Sequence, residues 1–491
     1  MHLSRRSFLK GSLAAGAVAL TPWQQVRGAD SKPFGANETI RVAVVGVGSQ
    51  GSGHVKTYLS KEFQAMNVRL VAVCDADKDH ADKVAAAADK AGVKVDSVQD
   101  PRKILDRKDV DVVVTATPNH WHSLLSIWAV QAGKDIYTEK PLSHDIFEGR
   151  KVVEAAAKTG RIVYVGTQNR SDESLAEAIE VLKSGIVGKI VRARGFCYKE
   201  RKSITKTTGE QPIPPSVDYD LWCGPAPKDP VRRAKLHYDW HWFWATGNAD
   251  IGNQGIHQMD ICRWAIGATK VTKAMGIGGR FGYEDDAETP NTEVVFLETD
   301  TVPIIFETRG LPRSKTDPAM DAYKPGDIRV GEVIECEGGY LAGGFIYDSK
   351  GEKVKQFKRD SGSKHRVNWI KCLRDRTPQS NKAPALEGHL SAVCFHVGNI
   401  SYRVGQEMGQ AEAAERFKSD KIAQEVWNRT AAHITANEPE GSKWKPTVGP
   451  CLTFDPVAEK FTGELADKAN ILTKGPVGGK YRAPFTVPDT I

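Results

Sequence analysis

The most constraining stretch of this chain is residues 41–51, a short apolar run that passes straight into glycine at positions 46, 48 and 51. It reads as a buried strand followed by a dinucleotide-binding turn. Gly46 permits the tight turn, Gly48 lets the backbone approach a pyrophosphate, and Gly51 lets the next helix pack close to the strand. Ser49 and Gln50 lie between them at the phosphate end. A helix over about residues 53–63 would aim its first N–H groups at the phosphates. In a chain with 45 glycines the spacing alone is weak. A second apolar run, 69–74, ends in Asp75, where an acid would hold the adenosine ribose hydroxyls. No arginine follows directly to receive a 2'-phosphate, so NAD is preferred to NADP.

From residue 38 to 166 short apolar runs alternate with helical patterns, which argues a parallel sheet with right-handed crossovers. The run 110–117 ends in Thr117, Pro118, Asn119, His120 and His122, and the run 135–138 delivers Glu139, Lys140 and Pro141. Ligands collect at the carboxyl ends of the strands in such sheets, so three polar clusters fall on one edge. Packing alone does not explain that coincidence.

Taken together, the 46–51 turn, the 117–122 cluster and Glu139-Lys140-Pro141 resemble the motifs of the glucose-fructose oxidoreductase and inositol dehydrogenase family, Gfo/Idh/MocA. The resemblance covers nearly all of the first domain and continues more loosely to about residue 405. It implies a Rossmann domain followed by an α/β domain with an open, mostly antiparallel sheet. Such sheets are often used in oligomer contacts, so a homo-oligomer, dimer or tetramer, is expected. The resemblance also implies hydride transfer between nicotinamide and a sugar or cyclitol carbon.

Oxidising an alcohol needs a hydride acceptor and a base within hydrogen-bond reach of the hydroxyl. Lys140 is the candidate base: at a strand end, beside Pro141 and partly desolvated, its ammonium would have a lowered pKa. A solvated surface charge is the ordinary alternative for such a lysine. Glu139 would fix Lys140 or contact the cofactor ribose. Asn119 and His122, with Thr117 and Pro118, would line the nicotinamide end, while His120 would only start a helix. Gln168 and Arg170 follow the run 161–166, where the domains meet. They suit the cofactor carboxamide or sugar hydroxyls, and Arg170 equally suits an interdomain ion pair.

In the second domain, 167–404, Trp240, His241 and Trp242 fall in a stretch dense in aromatics. Their faces suit sugar C–H surfaces, or their alternation packs one face of a strand. A helix over 252–260 would place Asn253 and His257 on one face. There His257 would exchange a proton with the reacting hydroxyl. The family commonly has Asp four residues before this histidine, and Asn253 stands there instead. Asp250 or Asp260 would then have to compensate, or His257 is structural.

Residues 1–29 carry Arg5 and Arg6 followed by Phe8, Leu9 and Lys10, then an apolar run too short to span a bilayer. They resemble a twin-arginine signal. Export of the folded protein by the twin-arginine machinery to the periplasm, or another extracytoplasmic space, is therefore expected. The net charge of +7 owes four cations to this segment, and no basic run with interleaved aromatics occurs elsewhere, which disfavours nucleic acid as a partner. An N-terminal arm, 30–37, and a C-terminal extension, 405–491, would flank the body, the latter with one helix over 411–427. The eight cysteines lack ligand-like spacing and read as buried free thiols. His237 and His241 lack supporting ligands, so no metal and no membrane span are expected.

Outside the cytoplasm there is no maintained pool of free NAD. The expected function is therefore hydride transfer at a sugar, glycoside or cyclitol hydroxyl with a cofactor that stays bound. One alternative is glycoside cleavage by oxidation, elimination, hydration and re-reduction, with no carboxylate pair. Another is a sugar-binding protein that retains NAD without catalysis.

Overall fold

A computed structural model describes residues 33–491 except 325 and 477. The twin-arginine segment, residues 1–29, and the first residues of the arm lie outside the described residues.

The first domain begins with β1 (Ile40–Val45), α1 (Ser49–Tyr58), α2 (Lys61–Ala65), β2 (Val68–Cys74), α3 (Lys78–Lys90), β3 (Asp96–Val98) and α4 (Pro101–Leu105). It continues with β4 (Val112–Thr115), α5 (Asn119–Gln131), β5 (Asp135–Thr138), α6 (Ile146–Thr159) and β6 (Val163–Val165). The strands form a parallel sheet in the order β3-β2-β1-β4-β5-β6. Helices cover both faces, so the inner strands read as unbroken apolar runs, and Val42, Val44, Val112 and Val114 are fully buried. The order reverses between β1 and β4, and a crevice opens at their carboxyl ends.

The helix expected over 53–63 is two helices. α1 starts inside the glycine turn, and the Ser60 hydroxyl accepts the Phe63 N–H to cap α2. A strong N-cap residue in mid-pattern ends one helix and starts the next.

The second domain contains α7 (Glu173–Lys183), β7 (Ile190–Tyr198), α8 (Tyr219–Cys223), α9 (Ile256–Ile266), β8 (Val271–Gly279), β9 (Thr292–Thr299) and β10 (Ile304–Arg309). Then come β11 (Val330–Cys336), β12 (Gly339–Ala342), β13 (Phe345–Asp348), β14 (Lys353–Gln356), α10 (His365–Asp375) and α11 (Ala385–Arg403); of these α10 packs back into the core of the first domain through Trp369, Ile370 and Leu373. The extension adds β15 (Gln406–Glu407), α12 (Gln410–Phe417), α13 (Lys421–Asn437), β16 (Thr447–Val448), β17 (Leu452–Asp455), β18 (Lys460–Thr462) and α14 (Ala466–Ile471). The second sheet runs β14-β13-β12-β11-β7-β10-β9-β8-β16-β15, antiparallel except where β10 pairs with β7. The expected fold class holds: a Rossmann domain, then a mostly antiparallel α/β domain.

Both faces of this sheet are covered. Val295, Leu297 and Phe306 face α9 and α11, while their neighbours Val294 and Ile305 face Phe417, Val426 and Trp427 of α12 and α13. Successive strand residues point to opposite sides, so apolar residues at both parities demand two covering layers. The extension is not one helix over 411–427, because Asp420 starts α13 by accepting the N–H groups of Ile422 and Ala423. β12 and β13 form a hairpin turned by Gly343 and Gly344 at positive φ. β8 carries only a weak strand pattern in its sequence, since Thr272, Lys273 and three glycines dilute its apolar residues.

Trp240 and Trp242 do not alternate along a strand, because residues 239–242 form a 3-10 turn. The helix expected over 252–260 opens with a π turn, Ile251–Gly255, before α9. Residues 481–491 return to the first domain, where Phe485 packs on Trp121. All eight cysteines are free thiols, Cys451 being exposed and the rest buried. Among the described residues no helix is long and apolar enough to cross a membrane.

Candidate active site

A cavity of about 520 Å³ lies along the carboxyl edge of the first sheet and is closed from the far side by the second domain. Of the nominated residues, Gly51, Arg170 and Trp242 do not line it, and all the others do.

The glycine turn fits a dinucleotide. Gly46 has φ +78°, and a Cβ at Gly51 would lie 1.7 Å from the Gly46 carbonyl oxygen, so the turn and the helix can touch only as glycines. A Cβ at Gly48 would meet nothing, which leaves the backbone open to an incoming pyrophosphate. No side chain caps α1, so its first N–H groups are free to bind an anion. Asp75 accepts the N–H groups of Val47 at 2.8 Å and Asp77 at 2.9 Å, which fixes its carboxylate at the cavity wall beyond β2.

Thr117, Pro118 and Asn119 turn from β4 into α5. The Asn119 amide donates to Asn248 at 2.9 Å, joining the two domains. His122 contacts the carbonyls of Pro141 and Thr117 at 2.7 and 2.8 Å and so ties the ends of β4 and β5 together. Burial lowers its pKa. His120 does more than start a helix: it contacts the carbonyl of Trp222 at 3.1 Å and anchors the segment that roofs the cavity.

Glu139 is buried, and one oxygen meets both Gln50 Nε2 and His54 Nε2 at 2.9 Å. Burial opposes its ionisation, but the hydrogen bond and charge of His54, with Lys140 and Gln50, hold its pKa well below the carboxylate range. His54 is a site residue that the sequence reading missed; its only signal is its position on α1, three residues beyond the glycine fingerprint.

Lys140 ends β5, and its Nζ donates to the main-chain carbonyl of Asn253 at 2.9 Å. Burial lowers its pKa, and Arg201 and Lys199 push the same way against Glu139 and Asp250. His257 lies on the same cavity wall without a hydrogen-bond partner among the described residues. Burial first, then the charge of Lys140, pulls its pKa down to about 3, so the ring is neutral near pH 7. Asp260 is committed elsewhere, to Arg170 and Ser391. The acid beside the site is Asp250, which grips Arg201 at 2.6 and 3.0 Å and meets the Asn253 amide at 3.4 Å.

Two nominated substrate residues fall outside the cavity. Arg170 spends its guanidinium on Asp260 at 2.8 Å and Glu387 at 3.1 Å, which is the ion-pair reading. Trp242 lies under the guanidinium of Arg201, because three residues per turn send it away from Trp240. Trp240 and His241 do reach the cavity, stacked at 3.6 Å between ring centres. Burial lowers the pKa of His241 to about 4. Lys199 and Arg201 line the same end; they follow β7 and carried no motif.

Fold and site together define a two-domain protein with a dinucleotide cradle facing a lysine and a neutral histidine. Residues 40–167 match the model of an oxidoreductase family with an NAD-binding Rossmann fold, and residues 175–312 match the C-terminal α/β domain of the same family. The chain belongs to the Gfo/Idh/MocA family. Residues 2–22 match a twin-arginine translocation signal sequence. Inositol 2-dehydrogenase 2 of Saccharopolyspora erythraea is 29% identical over 53% of this chain and 64% of its own length. A glycosyl hydrolase family 109 protein of Shewanella pealeana is 26% identical over 43% of this chain and 50% of its own. The chain thus spans about half to two thirds of these relatives. The WlbA dehydrogenase of Bordetella pertussis, solved with NADH and UDP-GlcNAcA, has the same fold: TM-score 0.54, 19% identity, 74% of this chain and 97% of that one.

Proposed function

We propose that this protein is an exported, NAD-dependent oxidoreductase acting on a hydroxyl of a sugar, glycoside or cyclitol, with a cofactor retained through turnover. The observation that carries the reading is the meeting, in one cavity, of the glycine turn, the Lys140 amine and the unpaired His257 ring. NAD, when bound across the turn, supplies the hydride acceptor. Lys140, made less basic by burial, takes the hydroxyl proton as a free amine. The neutral imidazole of His257 donates to or accepts from the same hydroxyl. The Trp240–His241 stack offers a flat wall to the sugar C–H face.

Retention of the cofactor is supported by the roof over its adenosine end. Ser216 accepts from Lys78 N and Gln99 Nε2, Asp218 N donates to Ala76, and Arg482 holds the carbonyls of Gly224 and Ala226. Asp75 favours NAD, since a 2'-phosphate beside this carboxylate would be repelled. The signal match supports a periplasmic or other extracytoplasmic site of action. A homo-oligomer, dimer or tetramer, belongs to the proposal; light scattering that found a monomer would remove it.

A second reading, glycoside cleavage through a transient ketone, is favoured by the unpaired neutral His257, which suits removal of a carbon-bound proton, and by the family 109 relative. Mass spectrometry of products from a panel of glycosides and cyclitols separates the two: a ketone or reduced sugar supports the first, a cleaved sugar the second. Absence of any product, with no change in reduced-nicotinamide absorbance, would leave a binding protein.

A further inference from the structure

At the adenosine rim of the cavity, three ligating side chains from distant parts of the chain converge. Asp77 follows β2 and caps α3, His80 lies in the first turn of α3, and His237 comes from the roof segment between α8 and the 239–242 turn. Oδ2 of Asp77 is 3.0 Å from Nε2 of His237 and 3.8 Å from Nε2 of His80. One ligand atom from each residue lies within 4.8 Å of the other two. Tetrahedral sites with bonds of roughly 2.0–2.2 Å hold their ligand atoms on the order of 3–3.5 Å apart, so small side-chain rotations complete the triangle.

The protonation states suit a cation. Burial, followed by the charge of His80, lowers the pKa of His237, so its ring is neutral near pH 7. Burial opposes the Asp77 carboxylate, but Ser216 and His80 outweigh it and keep it ionised. Nδ1 of His80 faces Asp75 Oδ2 at 4.0 Å, the carboxylate partner that orients a metal-bound histidine. The rings of His80 and His237 are tilted by 45° at 4.5 Å between centres rather than stacked flat.

We propose that Asp77, His80 and His237 bind a first-row divalent cation of the zinc type, which pins the roof segment to the first domain over the adenosine end of the cavity. The ligand set of two imidazoles and one carboxylate, with water in the fourth position, selects such an ion over Mg2+ or Ca2+. This departs from the expectation of no metal, which weighed His237 only against His241; His241 turns instead into its own loop, with Nδ1 on the Tyr238 carbonyl.

The test is titration of the chelator-treated full-length protein with Co2+, read by its visible d–d bands, and with Zn2+ by calorimetry. One equivalent is expected, with a raised Tm, and affinity falling at least roughly tenfold in His80→Ala and in His237→Ala but not in His241→Gln. The side chains of His80 and His237 are 35% and 33% exposed and neither belongs to a hydrophobic core, so both variants should fold. Absence of a stoichiometric cation, or binding unchanged in both alanine variants, would overturn the site. The readout is the metal itself, so it stands or falls apart from hydride transfer.

Discussion

Nζ of Lys140 donates to the main-chain carbonyl of Asn253 at 2.9 Å, across the joint between the two domains. The acceptor belongs to the π turn before α9, a local widening that is frequent at functional sites. The lysine is therefore anchored by backbone, whatever side chain stands at 253. A change of side chain at 253 leaves that anchor in place.

Lys140→Met should lower turnover by about 10²–10⁴-fold while cofactor stays bound. Because burial lowers the Lys140 pKa and the free amine is the base, wild-type rate should rise with pH along a limb below the ordinary lysine value of 10.5. A pH–rate profile checks this, and the limb should vanish in Lys140→Met. Retained turnover in that variant would dismiss the lysine as base.

Asn253→Ala should cost less than about tenfold, since the carbonyl that holds Lys140 remains. Asn253→Asp brings a negative charge toward the His257 ring, so the His257 pKa should move up from about 3. Imidazole NMR titration of the two proteins reads the shift. Loss of activity in Asn253→Ala as deep as in Lys140→Met would mean that the side chain, not the backbone, does the work.

Gly48→Ala should fold normally, because its Cβ enters open space, yet release the dinucleotide at least roughly tenfold more easily. Gly51→Ala should instead destabilise the domain, since the Cβ would lie 1.7 Å from the Gly46 oxygen. Cofactor retention after gel filtration and thermal melts separate the two effects; equal behaviour would refute the division of roles.

His144 and His120 are buried, and burial lowers their pKa values from 6.5 to about 3 and about 4. The unfolded chain takes up protons there before the folded one does. Their stability contribution is complete above about pH 6.5 and drains away as pH falls toward their folded values. His144→Gln should flatten stability against pH across that window by roughly 1–3 kcal/mol. Urea midpoints from pH 8 to 4 measure it, and an unchanged slope would count against the buried neutral ring.

Trp427 of α13 is 5% exposed, beside Phe417 at 5.7 Å and Trp444 at 6.0 Å. Trp427→Ala should cost about 3–5 kcal/mol in urea unfolding, as core tryptophans do. A loss under about 1 kcal/mol would mean that this layer is not core.

The sequence alone determined the first domain: its valine runs, the 46–51 turn, Asp75 and the ends of β4 and β5 all follow from local periodicity and glycine spacing, which act over a few residues. It also nominated Lys140 and His257. What only the tertiary structure decided are the contacts made over long separations: the grip of Arg170 on Asp260, the pairing of Glu139 with His54, the Arg201–Asp250 pair, and the convergence of Asp77, His80 and His237. The π turn and the second layer over the sheet belong there too. A side chain's charge and size are written in its own position, but its partner is fixed by where the folded backbone brings another part of the chain.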